Sequence, residues 1–149
     1  MKLSTKSRYA LEGLLYLSIH GSNQPLSVKD IAAGTGVTVA YMEQIFFSLK
    51  KSGLVSTTRG AKGGYELGQP AEEISVGMII RAIDGNIVPV KCVDNLSLCT
   101  SRVRSNCVSR QVWIRVSNAI TYVADSLTLE DLKNKFLAEN GGAEHENIN

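Results

Sequence analysis

Three side chains of this 149-residue sequence carry soft-metal and redox chemistry: Cys92, Cys99 and Cys107. Six and seven residues separate them, so no pair has the Cys-x-x-Cys spacing of a zinc ribbon. A loop can still gather three thiolates spaced this way around one cofactor, and soft thiolate ligands suit iron–sulfur clusters or zinc. The local charge favours thiolates. Between Lys91 and Arg115, five basic residues (Lys91, Arg102, Arg104, Arg110 and Arg115) stand against one acid, Asp94. That excess offsets an anionic cluster and lowers thiol pKa values. Three cysteines are an odd number for a disulfide framework. Buried thiols packed as small hydrophobes are the bland alternative, but Asn95, Thr100, Ser101, Ser105 and Asn106 argue against an apolar setting. A metal site, a redox thiol and packing stay open on spacing alone.

A second constellation lies upstream. Arg59-Gly60-Ala61-Lys62-Gly63-Gly64 is a basic, glycine-rich tip between two short strand-like runs, Leu54 to Thr58 and Gly64 to Leu67. A nucleotide-phosphate loop should run from strand into helix with Gly-Lys-Ser/Thr; this one runs strand to strand. Two short helices precede it. Ser27 opens the first with a capping-box-like pattern, Val28, Ile31 and Ala32 form its apolar face, and Gly34 is expected to end it. Thr35-Gly36-Val37 makes a tight turn. Thr38 caps the next helix, with Ile45, Leu49, Tyr41 and Met42 inward and Gly53 closing it. Short helices joined by a Gly-containing turn are a helix-turn-helix signal, in which the second helix presents its N-terminal residues to base edges. The candidate DNA-contacting residues are Thr38, Val39, Ala40, Tyr41, Glu43 and Gln44, with Arg59 and Lys62 on the wing. Glu43 can accept from a cytosine amino group, Gln44 can pair with adenine, and a basic wing can follow a phosphate backbone or enter the minor groove.

The positioning elements follow from periodicity. Ser7 to Ile19 has helical spacing, with Gly21 as its stop. Ser75 to Asp84 is amphipathic and ends at Gly85. Residues 86–109 show no clean period. From Gln111 on, Trp113, Val116, Ile120, Val123 and Leu127 recur at coiled-coil-like steps. Thr128 caps a last helix ending near Asn140, and Gly141 to Asn149 reads as a loose tail. The expected fold is mainly α with a small β-wing: a winged helix-turn-helix over 1–84, a cysteine-containing sensor loop over 85–109, dimerisation helices over 110–140, and a tail over 141–149.

Charge divides along the chain. Residues 1–70 carry +4, residues 71–127 +1 and residues 128–149 −3, within a total of +2. The basic first half suits a polyanion partner. No apolar run approaches a membrane span, and the first residues lack a signal-peptide core, so a cytoplasmic protein without membrane association is expected. His20 and His145 are isolated and read as surface residues. No nucleophile–base spacing or carboxylate pair stands out, which argues against an enzyme.

Four segments together carry a family resemblance: Ser7-Arg8-Tyr9-Ala10-Leu11, Tyr41-Met42-Glu43-Gln44-Ile45, Gly53-Leu54-Val55 and Arg59-Gly60-Ala61-Lys62-Gly63-Gly64-Tyr65. The sequence resembles the iron–sulfur cluster regulator (IscR) family of bacterial winged-helix transcription factors, over residues 1 to about 130. The resemblance implies a homodimer on a near-palindromic double-stranded DNA operator. Trp113, Val116, Ile120 and Val123 would then lie at the dimer seam. It also implies a [2Fe–2S] cluster held by Cys92, Cys99 and Cys107, acting as sensor for a transcriptional repressor. One departure stands out. The cluster-binding branch carries a histidine ligand three residues after its third cysteine, and here that position is Arg110, which stays protonated and cannot ligate. The fourth ligand is open; Asp94, a serine or a small thiol are the candidates. A same-family regulator without metal, controlled by thiol oxidation or a partner enzyme of cysteine metabolism, is the alternative.

Overall fold

A computed structural model of the chain describes residues 3–102 and 106–141. Arg104, Ser105, His145 and most of the expected tail lie outside the described residues. Among the described residues seven helices and one hairpin follow in order: α1 (Thr5–His20), α2 (Val28–Thr35), α3 (Val39–Lys51), β1 (Val55–Thr58), β2 (Gly64–Leu67), α4 (Val76–Asp84), α5 (Lys91–Asp94), α6 (Val108–Ser126) and α7 (Leu129–Asn140). Single 3₁₀ turns occupy Ala71–Glu73 and Leu96–Leu98.

The helices start where side-chain oxygens can take up orphan backbone N–H groups. Ser27 accepts from Asp30, Thr38 from Tyr41 and Ser75 from Met78, while Thr128 and Asp131 form a reciprocal capping box. Two boundaries differ from the sequence reading. Helix α1 begins at Thr5, two residues before the helical spacing shows, with Ser4 as its cap. Ser7 donates its hydroxyl to Asp84 at 2.7 Å, across the fold. Helix α2 continues through Gly34 to Thr35, and Gly36 ends it in the left-handed conformation (φ 70°). Gly34 serves packing: a Cβ there would collide with the Tyr16 ring.

Helices α1 to α4 enclose one core. Leu14, Ile31, Met42, Ile45, Phe46, Leu49, Leu54, Ile74 and Ile79 are fully buried. Leu129, at the start of α7, joins them. Strands β1 and β2 pair antiparallel from Val55 opposite Leu67 to Thr58 opposite Gly64. Leu26 bridges to Tyr65 through backbone bonds of 3.0 and 2.7 Å, tying the wing to the entry of α2. The expected winged helix-turn-helix is the architecture found.

Helix α6 leaves this core and packs on α4 with a narrow face. Arg81 pairs with Asp125 through both guanidinium nitrogens (2.6 and 3.3 Å), and the buried Ser117 hydroxyl donates to the Ile87 carbonyl (2.7 Å). Much of its apolar stripe faces outward. Trp113, Val116 and Val123 are exposed, Val123 by 57%, and Ile120 is half-covered. Backbone bonds between Val76 and Leu127 and between Leu129 and Ile74 then turn α7 back onto α1. Among the described residues, no helix is long and apolar enough to cross a membrane.

Candidate functional site

Helix α3 presents a continuous outer face. Thr38 stands at its cap, and Val39, Ala40, Glu43 and Gln44 are exposed along its first two turns. Tyr41 turns partly inward and meets the Tyr9 ring edge-on at 5.9 Å. The Arg8 guanidinium lies 4.7 Å from the centre of that Tyr9 ring. Met42, Ile45, Phe46 and Leu49 hold the opposite face in the core.

The wing is fixed to this helix rather than hung from it. Phe46 meets Tyr65 of β2 at 4.9 Å, and Lys50 donates to the Thr57 hydroxyl at 2.8 Å. Burial, and next to it the Glu43 carboxylate, push the Tyr65 phenol above its ordinary range. The Gly63 N–H closes the tip onto the Gly60 carbonyl (3.0 Å), with Gly60 at φ 110°. Arg59 and Lys62 stand exposed at this tip. Helix face and wing tip thus form one surface carrying Arg59, Lys62, Lys50 and Lys51. Sequence reasoning passed over Lys6, Phe47, Ser48 and Lys51. Lys6, Phe47 and Ser48 line a shallow depression with Ala40, Glu43 and Gln44. The face that leaves Ala40 and Gln44 outward also carries Phe47 and Lys51, at spacings of three, four and seven residues.

The cysteines lie in a second place. Cys92 sits in the four-residue helix α5, Cys99 follows the 3₁₀ turn, and Cys107 stands at the entry of α6. All three line one open cleft of about 270 Å³, together with Lys91, Leu98, Ser109 and Trp113. None is in a disulfide. Cys99 is buried, and Cys92 and Cys107 are half-exposed. The Cys107 sulfur lies 3.1 Å from the Ser109 hydroxyl. That contact first, and the Arg110 backbone N–H next, hold its thiol below the ordinary thiol range.

Arg110 takes a structural role. Its Nε donates to the Cys92 carbonyl at 2.8 Å, pinning α5 to the start of α6. Asp94 is exposed and accepts from Asn86 at 2.8 Å. His20 packs against Tyr16, with ring centres 4.2 Å apart, away from the cleft. In donor chemistry the site fits three thiolate ligands of a soft-metal cofactor. The thiols share a cleft without closing on one point: among the described residues, no three His, Cys, Asp or Glu side chains form a metal-holding group.

Comparison with known proteins assigns the family. The model of the Rrf2 family, described as an iron-dependent transcriptional regulator, matches residues 3–135. The chain belongs to the Rrf2 family of transcriptional regulators. It is 40% identical over 132 residues to protein rrf2 of Nitratidesulfovibrio vulgaris, covering 89% of this chain and 87% of that one. It is 37% identical over 134 residues to the HTH-type transcriptional regulator IscR of Pectobacterium atrosepticum, covering 90% and 80%. Two solved structures superpose closely. CymR, the global cysteine regulator of B. subtilis, has a TM-score of 0.76 at 37% identity, covering 91% of this chain and 98% of that one. IscR of T. potens has a TM-score of 0.73 at 36% identity, covering 91% and 88%. Its Rrf2 membership makes this chain a DNA-binding regulator of transcription and gives no support to an enzymatic role.

Proposed function

We infer that this Rrf2 protein is a homodimeric repressor that binds a near-palindromic operator through α3 and the wing, and that an iron–sulfur cluster governs it. The observation that carries the reading is the shared cleft of Cys92, Cys99 and Cys107, with Trp113 in its wall. Those three thiolates would hold the cluster, a [2Fe–2S] centre by family resemblance, and Arg110 leaves the fourth position to a ligand other than histidine. A bound cluster supplies a centre whose charge and integrity respond to oxidants and to iron supply.

The chain's own residues carry that state to DNA. Trp113 belongs to the cleft and to the outward stripe of α6. A change in the cysteine segment therefore bears directly on the proposed dimer seam. Two reading heads must match two half-sites at a fixed spacing, so a shift at the seam changes operator affinity. The likeness to CymR and the arginine at position 110 favour a second reading, in which the thiols or a protein partner set the state without metal.

Anaerobic reconstitution separates the two. Wild type is expected to take up iron and sulfide and to show visible absorbance. Replacing Cys92, Cys99 or Cys107 with Ala should abolish the chromophore while the protein stays folded. Wild type that takes up neither iron nor sulfide would overturn the cluster reading and leave the metal-free one.

A further inference from the structure

Phe47 is 63% exposed although it sits mid-helix in α3. Its neighbour Phe46 is fully buried against the wing, so the core already has the aromatic ring this turn supplies. An exposed ring gives up most of the burial that would stabilise the fold, so Phe47 contributes little to the folded state. It follows Gln44 on the outer face and lines the depression shared with Ala40, Glu43, Gln44, Ser48 and Lys6. Cations flank it. Lys51 Nζ lies 5.7 Å from the centre of the ring, and Lys6 lines the same depression.

That setting specifies the occupant. An apolar ring framed by lysines, on the helix face that carries the candidate base-reading residues, fits a polyanion with an apolar group in its groove. The phenyl ring has no donor and no acceptor. Of the base edges in the major groove, only thymine offers an apolar feature, its 5-methyl group. We propose that Phe47 is a specificity-determining residue that packs on a thymine methyl in the major groove, one helical turn beyond the bases read by Glu43 and Gln44. Lys51 holds the ring and meets the adjoining phosphate. The proposal rests on α3 being the reading helix.

The test removes one methyl at a time. A duplex operator is selected from a random pool with the wild-type protein, and each thymine is replaced in turn by deoxyuridine, symmetrically in both half-sites. Wild type should weaken about fourfold per half-site at one thymine position and be indifferent at the others. Phe47→Ala should bind the parent operator more weakly and no longer distinguish thymine from deoxyuridine there. Phe47→Leu should keep the discrimination. An unchanged thermal midpoint for Phe47→Ala shows that the fold is intact. Wild type indifferent to every deoxyuridine, or Phe47→Ala as sensitive as wild type, overturns the proposal while leaving α3 as the reading helix. A selection that enriches no sequence overturns that assignment as well. A Phe47→Ala protein with unaltered DNA binding but an altered oligomeric state would move the ring to a protein interface.

Discussion

The reading head and the cysteine segment are built to different standards. From Ser4 to Asp84 each helix of two turns or more starts on a side-chain cap, and the large apolar side chains of the core are closed off from water. From Gly85 to Cys107 the pattern reverses. Neither Val90 nor Cys107 caps its helix with a side chain, Leu96 and Leu98 are exposed, and among the described residues burial is confined to Ile87 and Cys99. Polar ties that hold the segment include Asn86 to Asp94, Arg110 to the Cys92 carbonyl, and Ser117 to the Ile87 carbonyl. A segment with little buried apolar area can be repositioned at lower cost than a closed core, which moves as one body. The difference suits the proposed regulator, in which the part that reads DNA keeps its shape and the part that senses can change it.

Core truncation tests this contrast most strongly. Phe46→Ala should cost about 3–5 kcal/mol, because it opens a cavity and unpins the wing. Cys99→Ala, which removes one sulfur atom from a nearly buried position, should cost about 1 kcal/mol or less. Urea denaturation of both variants beside wild type checks the gap. Equal losses would mean the cysteine segment is as firmly built as the core.

A smaller effect on stability but a large one on function is expected at α6. Trp113, Val116 and Val123 face outward beside the half-covered Ile120, so on the proposed dimer Ile120→Asp should leave the monomer folded and prevent dimerisation. Operator affinity should then fall by at least tenfold, as one half-site alone contributes too little. Sedimentation velocity with an operator titration reads both. A variant that stays dimeric would move the seam elsewhere.

What the sequence disclosed, and what it hid, follows the same division. The caps at Ser27, Thr38 and Thr128, the wing tip and the α6 stripe were legible because each is set by residues a few positions apart. The start of α1 at Thr5 was hidden because its apolar spacing shows only from Ser7 on, after the Ser4 cap. Gly34 misled because a glycine that makes room for Tyr16 looks the same in sequence as one that ends a helix. Residues 86–109 showed no period because elements as short as the four-residue α5 and the 3₁₀ turn Leu96–Leu98 cannot express one. Phe47 was passed over because an aromatic mid-helix reads as core; placing Phe46 inward puts the adjacent residue outward, and that was the available signal.

The finest test lies at the junction of the two regions. Asp84 is the last residue before the cysteine segment, and it accepts from the Ser4 N–H (3.0 Å) and the Ser7 hydroxyl (2.7 Å), closing the first turn of α1 onto the end of α4. Burial pushes its carboxyl up, but the hydrogen bonds from Ser4 and Ser7, with the Lys6 charge, outweigh that and hold it below the ordinary carboxylate range. A carboxyl lowered by folding adds stability that is fully present above its unfolded pKa of about 3.9, and that fades as pH falls through the lower folded value. Asp84→Asn keeps an acceptor and removes the charge. Its urea midpoint should lie slightly below that of wild type at pH 7, and the two should converge as the pH is taken below 4. Asp131, lowered by its Thr128 capping bonds, titrates in the same range in both proteins, so it drops out of the difference. A gap that persists unchanged into acid would make the loss one of shape. The tie between the ends of the reading head would then not depend on the Asp84 charge.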